Sequence, residues 1–264
     1  MKVAQALSAL EAREARLLLA AATGFSEASV LAHPERELPA EAEARFRELA
    51  ARRARGEPIA YLLGEKEFYG LTLAVNPAVL IPRPETELLV ELALARGPAS
   101  VLDLGTGSGA IALAIKRHLP AARVVAVERS AAALAVARRN ALKLGLQVDF
   151  RHGLWFEPVA GERFDLVVSN PPYVAMDDAH LSQGDLRFEP QSALVAGPEG
   201  LDAIREIVRG APSHVNPGGW LLVEHGLGQD VAVRTLLAQA GLEGIATWPD
   251  LAGIARVSGG GLES

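Results

Sequence analysis

The chain has 264 residues, half of them hydrophobic, and 32 acidic side chains against 26 basic ones give it a formal net charge of −6. The acidic balance disfavours a protein that binds nucleic acid through a basic surface, and the absence of cysteine excludes disulfides, thiolate metal sites and thiol nucleophiles. No apolar run reaches the roughly 18–20 residues that span a bilayer, and charges interrupt the N-terminal segment where an export signal is apolar, so we predict a cytoplasmic protein without a membrane partner.

Residues 1–57 are predicted to form a small helical domain. Apolar side chains recur there at helical spacing in two stretches. The predicted apolar faces contain Leu7, Leu10, Leu17 and Leu18 in the first stretch and Phe46, Leu49, Ala50 and Ala54 in the second. The domain carries no catalytic constellation of its own.

Residues 58–84 have a different pattern and are predicted to be an extended linker with a hairpin. Two short runs with strand composition flank Gly70, at 67–69 and 71–75. Pro82 and Pro84 then impose an extended backbone. An amphipathic helix is predicted to begin at Glu85 or Thr86 and to continue through residue 95.

Residues 85–264 alternate between strands and helices, which predicts a mainly parallel sheet covered by helices on both faces. No helix is predicted between the last two strands, so we expect that they pair antiparallel at an edge. The predicted strands are 101–104, 123–127, 148–151, 165–169, 220–224, 243–248 and 254–258, and the predicted helices are 110–118, 131–144, 201–211 and 230–239.

A glycine-rich turn from Gly105 to Gly109 joins the first of these strands to its helix, where bare backbone can approach a ligand. The next strand ends at Glu128, whose carboxylate can accept hydrogen bonds from both hydroxyls of a ribose. The spacing G-x-G-x-G and the preceding Asp103 favour S-adenosylmethionine over NAD, because a carboxylate suits a cationic amino group and repels a pyrophosphate. Trp155, after the third strand, has two open interpretations: a cover for the adenine or ordinary core packing.

Asn170-Pro171-Pro172-Tyr173 follows a predicted buried strand, so the motif lies where a loop opens. The Asn170 side chain and the Pro171 carbonyl can together accept both hydrogens of an NH2 group. The two prolines stiffen that geometry, and the Tyr173 ring offers a stacking surface for a planar group. The pattern predicts methyl transfer to a planar, weakly nucleophilic nitrogen, although Asn-Pro-Pro is also a common turn at the end of a strand.

Together these motifs resemble the PrmC/HemK family of protein-(glutamine-N5) methyltransferases, which modify peptide chain release factors. The resemblance covers nearly the whole chain and is most specific in Ile81-Pro82-Arg83-Pro84-Glu85-Thr86-Glu87 beside the Asn-Pro-Pro-Tyr motif. It also includes 58–64, 67–71 and Phe188-Glu189-Pro190 with Ala193-Leu194.

The resemblance implies a Rossmann-like class I methyltransferase domain with a seven-stranded sheet, and an N-terminal helical domain that helps to bind the release factor. It implies transfer of a methyl group to the glutamine of the Gly-Gly-Gln motif. The residues it assigns to the cofactor are Gly105, Thr106, Gly107, Ser108, Gly109, Glu128, Trp155 and Asn170, and those it assigns to catalysis are Asn170, Pro171, Pro172 and Tyr173. Glu128 replaces a more usual Asp, and Leu154 replaces an Asp that often contacts the adenine.

Several alternatives stay open. The acceptor can instead be a glutamine of a ribosomal protein or an exocyclic base amine of nucleic acid. A dehydrogenase or a non-catalytic cofactor-binding module fits the sequence less well. Arg83 and Glu85 either close over the cofactor or contact the release factor, or form an interdomain salt bridge. The six histidines lack metal-site spacing, so we predict no metal, and we expect a monomer without direct nucleic-acid binding.

Overall fold

The structure is a computed structural model that describes residues 1–263. The described chain forms two compact units. One is Met1–Glu65 together with His180–Phe188, and the other is Lys66–Ala179 together with the residues from Glu189 onward. The N-terminal unit thus includes a segment from the middle of the chain. The boundaries drawn from the sequence at 57 and 84 remain a prediction.

The N-terminal unit is helical, as its apolar spacing predicted. Its α-helices are α1 (Val3–Leu7), α2 (Ala12–Thr23), α3 (Glu27–Ala32), α4 (Ala40–Ala54) and α5 (Ile59–Leu63). Leu18, Leu19 and Phe46 are fully buried in its core. Leu17 was predicted on the same face, but it is half-buried and lies outside this cluster. The buried residues of α2 are Ala15, Leu18, Leu19 and Ala22, and Leu17 lies outside this helical stripe.

The second unit contains a two-stranded sheet and a seven-stranded sheet. The smaller sheet is the predicted hairpin, β1 (Glu65–Phe68) and β2 (Leu71–Ala74). The strands of the larger sheet are β3 (Ser100–Leu104), β4 (Arg123–Glu128), β5 (Asp149–His152), β6 (Phe164–Ser169), β7 (Val215–Glu224), β8 (Glu243–Pro249) and β9 (Ala255–Gly261). Their spatial order is β5-β4-β3-β6-β7-β9-β8.

The first five strands of the larger sheet pair in parallel, and β9 pairs antiparallel with both β7 and β8. The α/β fold with a seven-stranded sheet is therefore confirmed, as is the antiparallel pair at the edge. The sequence pattern did not reveal that β9 lies between β7 and β8. Strand β7 is also longer than predicted, because it begins at Val215.

Helices cover both faces of the sheet. They are α6 (Glu87–Arg96), α7 (Ala110–His118), α8 (Ala131–Leu144), α9 (Asp202–Gly210) and α10 (Asp230–Gln239). Within β6, Leu166 and Val168 pack in the core that contains α6 and α7, whereas Val167 packs in the core that contains α9 and α10. This alternation follows from the two-residue period of a strand. Each such fully buried side chain contributes about 1.5–3 kcal/mol through the hydrophobic effect.

The proline-rich segment ends in a single 3-10 turn, Pro84–Thr86, and α6 follows directly at Glu87. The predicted helix start at Glu85 or Thr86 was therefore one or two residues early. The Glu87 carboxylate accepts a hydrogen bond from the Tyr69 amide at 2.9 Å, which attaches the hairpin turn to the start of α6.

Candidate active site at the carboxyl edge of the sheet

Three adjacent strands bring the sequence motifs together. In the sheet β3 lies between β4 and β6, and all three run in the same direction. Leu104, at the end of β3, is paired with Val127 on one side and with Ser169 on the other. The loops that follow these strands therefore open at one edge of the sheet, where ligands of open α/β sheets bind.

A cavity of about 950 Å³, counted to its opening, lies at this edge. Of the residues that the sequence assigned to the site, the cavity is lined by Gly105, Thr106, Gly107, Ser108, Glu128, Trp155, Asn170 and Pro172. Gly109, Pro171 and Tyr173 do not line it. The lining also includes Ala78–Leu80, Pro82, Thr86, Pro190 and Ser192, which the sequence did not assign to the site, and Arg83, for which a place over the cofactor was one of the alternatives.

The glycine-rich turn is held in place by backbone hydrogen bonds from its first residues. The amides of Gly105 and Thr106 both donate to the Val127 carbonyl, at 2.9 and 3.0 Å. Gly107 has a φ of +56° and lines the cavity. A side chain at this position would meet no protein atom within 4 Å, so it would extend into open space.

Glu128 contacts the turn directly. Its Oε2 accepts from the Gly107 amide at 3.0 Å, and its Oε1 accepts from the Ser130 amide at 2.8 Å. A carboxylate has about four acceptor positions, so these two bonds leave capacity for the hydroxyls of a bound sugar. Glu128 is one methylene longer than the Asp that is more usual at this position. Its carboxylate is nevertheless held at the cavity wall by these two hydrogen bonds.

Asp103 is fully buried, and in the described chain it does not line the cavity. Its Oδ2 accepts from the Thr106 hydroxyl at 2.5 Å, while Oδ1 meets no donor in good hydrogen-bonding geometry. Burial raises the pKa of Asp103 to about 7, although the Thr106 hydroxyl and the nearby Ala112 amide oppose this shift. The expectation that Asp103 meets a ligand's amino group directly is therefore not supported, because the lining residue is Thr106.

Trp155 lies against the glycine-rich turn. The edge of its ring is 3.5 Å from the position that a Cβ on Gly105 would take. Its indole Nε1 donates to Glu206 Oε2 at 2.7 Å, which fixes the ring, and its backbone has a φ of +45°. Leu154 also lines the cavity. The wall expected to receive the adenine is thus apolar and aromatic.

Asn170 and Tyr173 point to different partners. The Asn170 Nδ2 donates to the Thr86 hydroxyl at 3.0 Å, and in residues 1–263 its Oδ1 accepts no hydrogen bond. The Tyr173 hydroxyl donates to Glu224 Oε1 at 3.2 Å. Burial and the neighbouring Glu224 carboxylate raise the pKa of Tyr173 above its usual value. The motif is therefore anchored at both ends, and Asn170, which lines the cavity, keeps an acceptor that has no donor among the described residues.

Arg83 forms a salt bridge with Glu189, and both residues belong to the same compact unit. One alternative for Arg83 was a salt bridge between two domains. That alternative is wrong, because both partners of the observed salt bridge lie in one unit. Within the described residues, no group of three or more His, Asp or Glu side chains could hold a metal ion.

Models of two known protein domains match this chain. The model of the PrmC N-terminal domain matches residues 2–64, and that of the methyltransferase small domain matches residues 84–186. The release factor glutamine methyltransferase of Xylella fastidiosa strain Temecula1 is 52% identical over 263 residues, which cover 98% of this chain and 96% of that protein. The chain belongs to the release factor glutamine methyltransferase family. The relative from Burkholderia pseudomallei is 54% identical and covers 97% of this chain and 93% of its own length.

Solved structures agree with this family's fold. A methyltransferase from Pyrococcus furiosus superposes with a TM-score of 0.59 at 19% identity, covering 81% of this chain and 98% of that chain. The 16S rRNA methyltransferase RsmC of Thermus thermophilus, solved with AdoMet and guanosine, gives 0.58 at 24% identity and covers 75% and 50%. In residues 1–263, every helix is too short or too polar to cross a membrane.

Proposed function

We propose that this chain transfers a methyl group from S-adenosylmethionine to the side-chain amide nitrogen of a release factor glutamine, in the Gly-Gly-Gln motif. The proposal rests on membership of the family, whose curated relatives are about half identical over nearly their full length. A methyltransferase fold accounts for the chemistry, and the Asn-Pro-Pro-Tyr motif accounts for the acceptor.

The residues around the cavity fit the cofactor. We match the ordered carboxylate of Glu128 to a ribose, the glycines of the turn to a close backbone approach, and the fixed indole of Trp155 to an adenine. Thr106, whose hydroxyl donates to the buried Asp103 carboxyl, lines the cavity beside these residues. These residues are proposed to hold the cofactor together with Ser108 and Asn170.

One observation carries the acceptor assignment: Asn170 shares the cavity with the glycine-rich turn, and its Nδ2 is bound to Thr86. The oxygen Oδ1 is then the atom available to an incoming NH2 group. We assign the second acceptor to the Pro171 carbonyl and the flat contact surface to Pro172 and Tyr173.

When bound, S-adenosylmethionine would supply an activated methyl group, and an N–CH3 bond would form as the S–CH3 bond breaks. The protein must hold the amide nitrogen in line with that bond, with the reacting atoms about 3 Å apart. Hydrogen bonds to Asn170 Oδ1 and the Pro171 carbonyl orient the nitrogen and stabilise the positive charge that grows on it. The extra proton can leave to water after transfer, so no strong general base is needed.

The test is an incubation of the protein with methyl-labelled S-adenosylmethionine and separate pools of release factor, ribosomal protein, DNA and RNA. We expect label only in the release factor, and mass spectrometry of its tryptic peptides should place one methyl group on the Gly-Gly-Gln glutamine. A release factor in which that glutamine is replaced by alanine is the matched control. Label in ribosomal protein or nucleic acid instead would overturn the substrate assignment.

A further inference from the structure

A buried carboxylate that the proposed chemistry does not use lies behind the Asn-Pro-Pro-Tyr motif. Glu224 is the last residue of β7 and is fully buried. Its Oε1 accepts from the Tyr173 hydroxyl at 3.2 Å, and its Oε2 has no partner in good hydrogen-bonding geometry among the described residues. A buried, half-satisfied carboxylate is costly to keep, which suggests that it serves the site.

Thr86 connects this carboxylate to the site. Its Oγ1 accepts from Asn170 Nδ2, so the Thr86 hydroxyl proton must point away from Asn170. The Thr86 hydroxyl also lies close enough to Glu224 to stabilise the charged carboxylate. Since Oε2 is the oxygen without another donor, it is the natural acceptor for that proton.

Orientation of the Asn170 amide depends on this arrangement. A hydroxyl that donates to Glu224 can only accept from Asn170, and it therefore selects the amide rotamer that presents Nδ2 to Thr86. The opposite rotamer would place Asn170 Oδ1 against Thr86 Oγ1, with no proton between these two acceptors. The rotamer decides whether Asn170 offers an acceptor or a donor to the cavity, and Glu224 controls that choice from two hydrogen bonds behind Asn170.

We propose that Glu224 is a positioning residue, which acts through the hydroxyls of Thr86 and Tyr173 to keep Asn170 Oδ1 and the Tyr173 ring in the orientation that receives the substrate amide. The inference rests on the proposed function, because it assigns to these residues a role in that same site. It adds a requirement that the charge of Glu224 be negative during the reaction.

Charge is the property on which this role depends. Burial raises the pKa of Glu224 to about 7, and hydrogen bonding from Thr86 and Tyr173 opposes the shift. The charged groups that act on it are Glu85, which raises its pKa, and Arg256, which lowers it. A protonated Glu224 would itself become a donor and would compete with the Thr86 and Tyr173 hydroxyls for acceptors.

The kinetic experiment compares Glu224→Gln, Thr86→Val and Thr86→Ser with the wild type, using release factor as the substrate. Glu224→Gln and Thr86→Val should lower kcat about 10- to 100-fold, because the reacting nitrogen is misplaced by a fraction of an ångström to an ångström. The Kd for S-adenosylhomocysteine should change less than threefold. Thr86→Ser retains the hydroxyl and should recover most of the activity that Thr86→Val loses. In the wild type, log kcat should rise with pH through about 7, and Glu224→Gln should reduce that rise.

A second readout does not depend on turnover. The chain has four asparagines, Asn76, Asn140, Asn170 and Asn216, so selective 15N-asparagine labelling gives four pairs of side-chain amide signals, and Asn170→Ala identifies one pair. We expect Thr86→Val and Glu224→Gln to shift the Asn170 signals and to leave those of Asn76 unchanged. This measurement decides the inference even if the release factor proves not to be the substrate, in which case only the proposed function fails.

Two results would overturn the inference. One is an Asn170 amide signal that is the same in wild type, Thr86→Val and Glu224→Gln. The other is a loss of kcat in Thr86→Ser as large as in Thr86→Val, together with the same fall in melting temperature in both variants. That result would assign Thr86 and Glu224 a purely structural role.

Discussion

Arg83 Nη2 lies 2.6 Å from Glu189 Oε2, and this salt bridge joins the proline-rich segment to the loop that follows the Asn-Pro-Pro-Tyr motif. Arg83 lines the cavity, as does Pro190 beside Glu189. The side chain of Glu189 is fully buried and that of Arg83 is 23% exposed. The pair therefore fixes two walls of the cavity relative to each other.

Loss of Arg83 should destabilise the protein, because it leaves a buried charge with one partner fewer. We expect Arg83→Ala to lower the free energy of unfolding by about 2–3 kcal/mol and to weaken S-adenosylhomocysteine binding. Urea denaturation and calorimetric titration measure the two effects. The double variant Arg83→Ala/Glu189→Gln should recover part of the stability, and no recovery would contradict this account.

Asn170→Ala should abolish methylation while cofactor binding is lost only in part. The substitution removes one of two acceptors for the substrate NH2, and we expect kcat to fall at least about 100-fold. The Kd for S-adenosylhomocysteine should rise less than tenfold, since Asn170 is one of many lining groups. Full turnover by this variant would remove Asn170 from the mechanism.

Gly107 and Gly145 form a matched pair for testing the cofactor site. Both have positive φ, +56° and +65°, and a side chain on either would meet no protein atom within 4 Å. Replacing each by alanine should therefore cost a similar free energy of unfolding, about 1 kcal/mol. Only Gly107 lines the cavity, so only Gly107→Ala should weaken S-adenosylhomocysteine binding. Equal affinities in the two variants would place the ligand elsewhere.

Trp155 should report ligand binding by fluorescence. The other two tryptophans, Trp220 and Trp248, pack against the Arg96 guanidinium. We expect S-adenosylhomocysteine to change the emission of the wild type and of Trp248→Phe, and to leave that of Trp155→Phe unchanged. Trp155→Ala should raise the Kd about tenfold or more, because base–aromatic stacking contributes about 1–3 kcal/mol.

Stability should fall as pH rises towards neutrality, in part because of Asp103. Burial raises its pKa to about 7, whereas the unfolded chain titrates near 4. Between these pH values the folded protein holds a proton that the unfolded chain has released, so the free energy of unfolding decreases with rising pH. We expect Asp103→Asn to reduce the decrease between pH 5 and pH 8 by about 2–4 kcal/mol relative to the exposed control Asp177→Asn. Identical pH dependence in both variants would show that Asp103 is not the titrating group.

Local sequence patterns located most elements because their signals are short-range. Helices α7 and α10 match their predicted bounds: Gly109 directly precedes α7 and Pro120 follows its end, while Gly228 and Gly241 lie two residues outside the ends of α10. The helical face that was assigned to Leu17 was wrong, because α1 ends at Leu7 and α2 begins at Ala12, so Leu7, Leu10 and Leu17 do not lie on one helix.

For the candidate site, the sequence predicted the residues but not their hydrogen-bond partners. The glycine-rich turn, Glu128, Trp155 and Asn170 were identified from motifs at strand ends, and the sheet order brings them to one cavity. Their individual roles remain predictions. The partners of these residues could not be inferred, because Thr86 reaches Asn170 across 84 positions and Tyr173 reaches Glu224 across 51.

The sequence by itself determined the family, the α/β class and the motifs that carry the chemistry, since these depend on residue type and on periodicity within one element. Only the tertiary structure decided that β9 lies between β7 and β8, that His180–Phe188 belongs to the N-terminal unit, and that Asp103 is enclosed behind Thr106. These features depend on which segments, far apart in the chain, pack against each other and bury their apolar surface. A local sequence pattern does not contain that information.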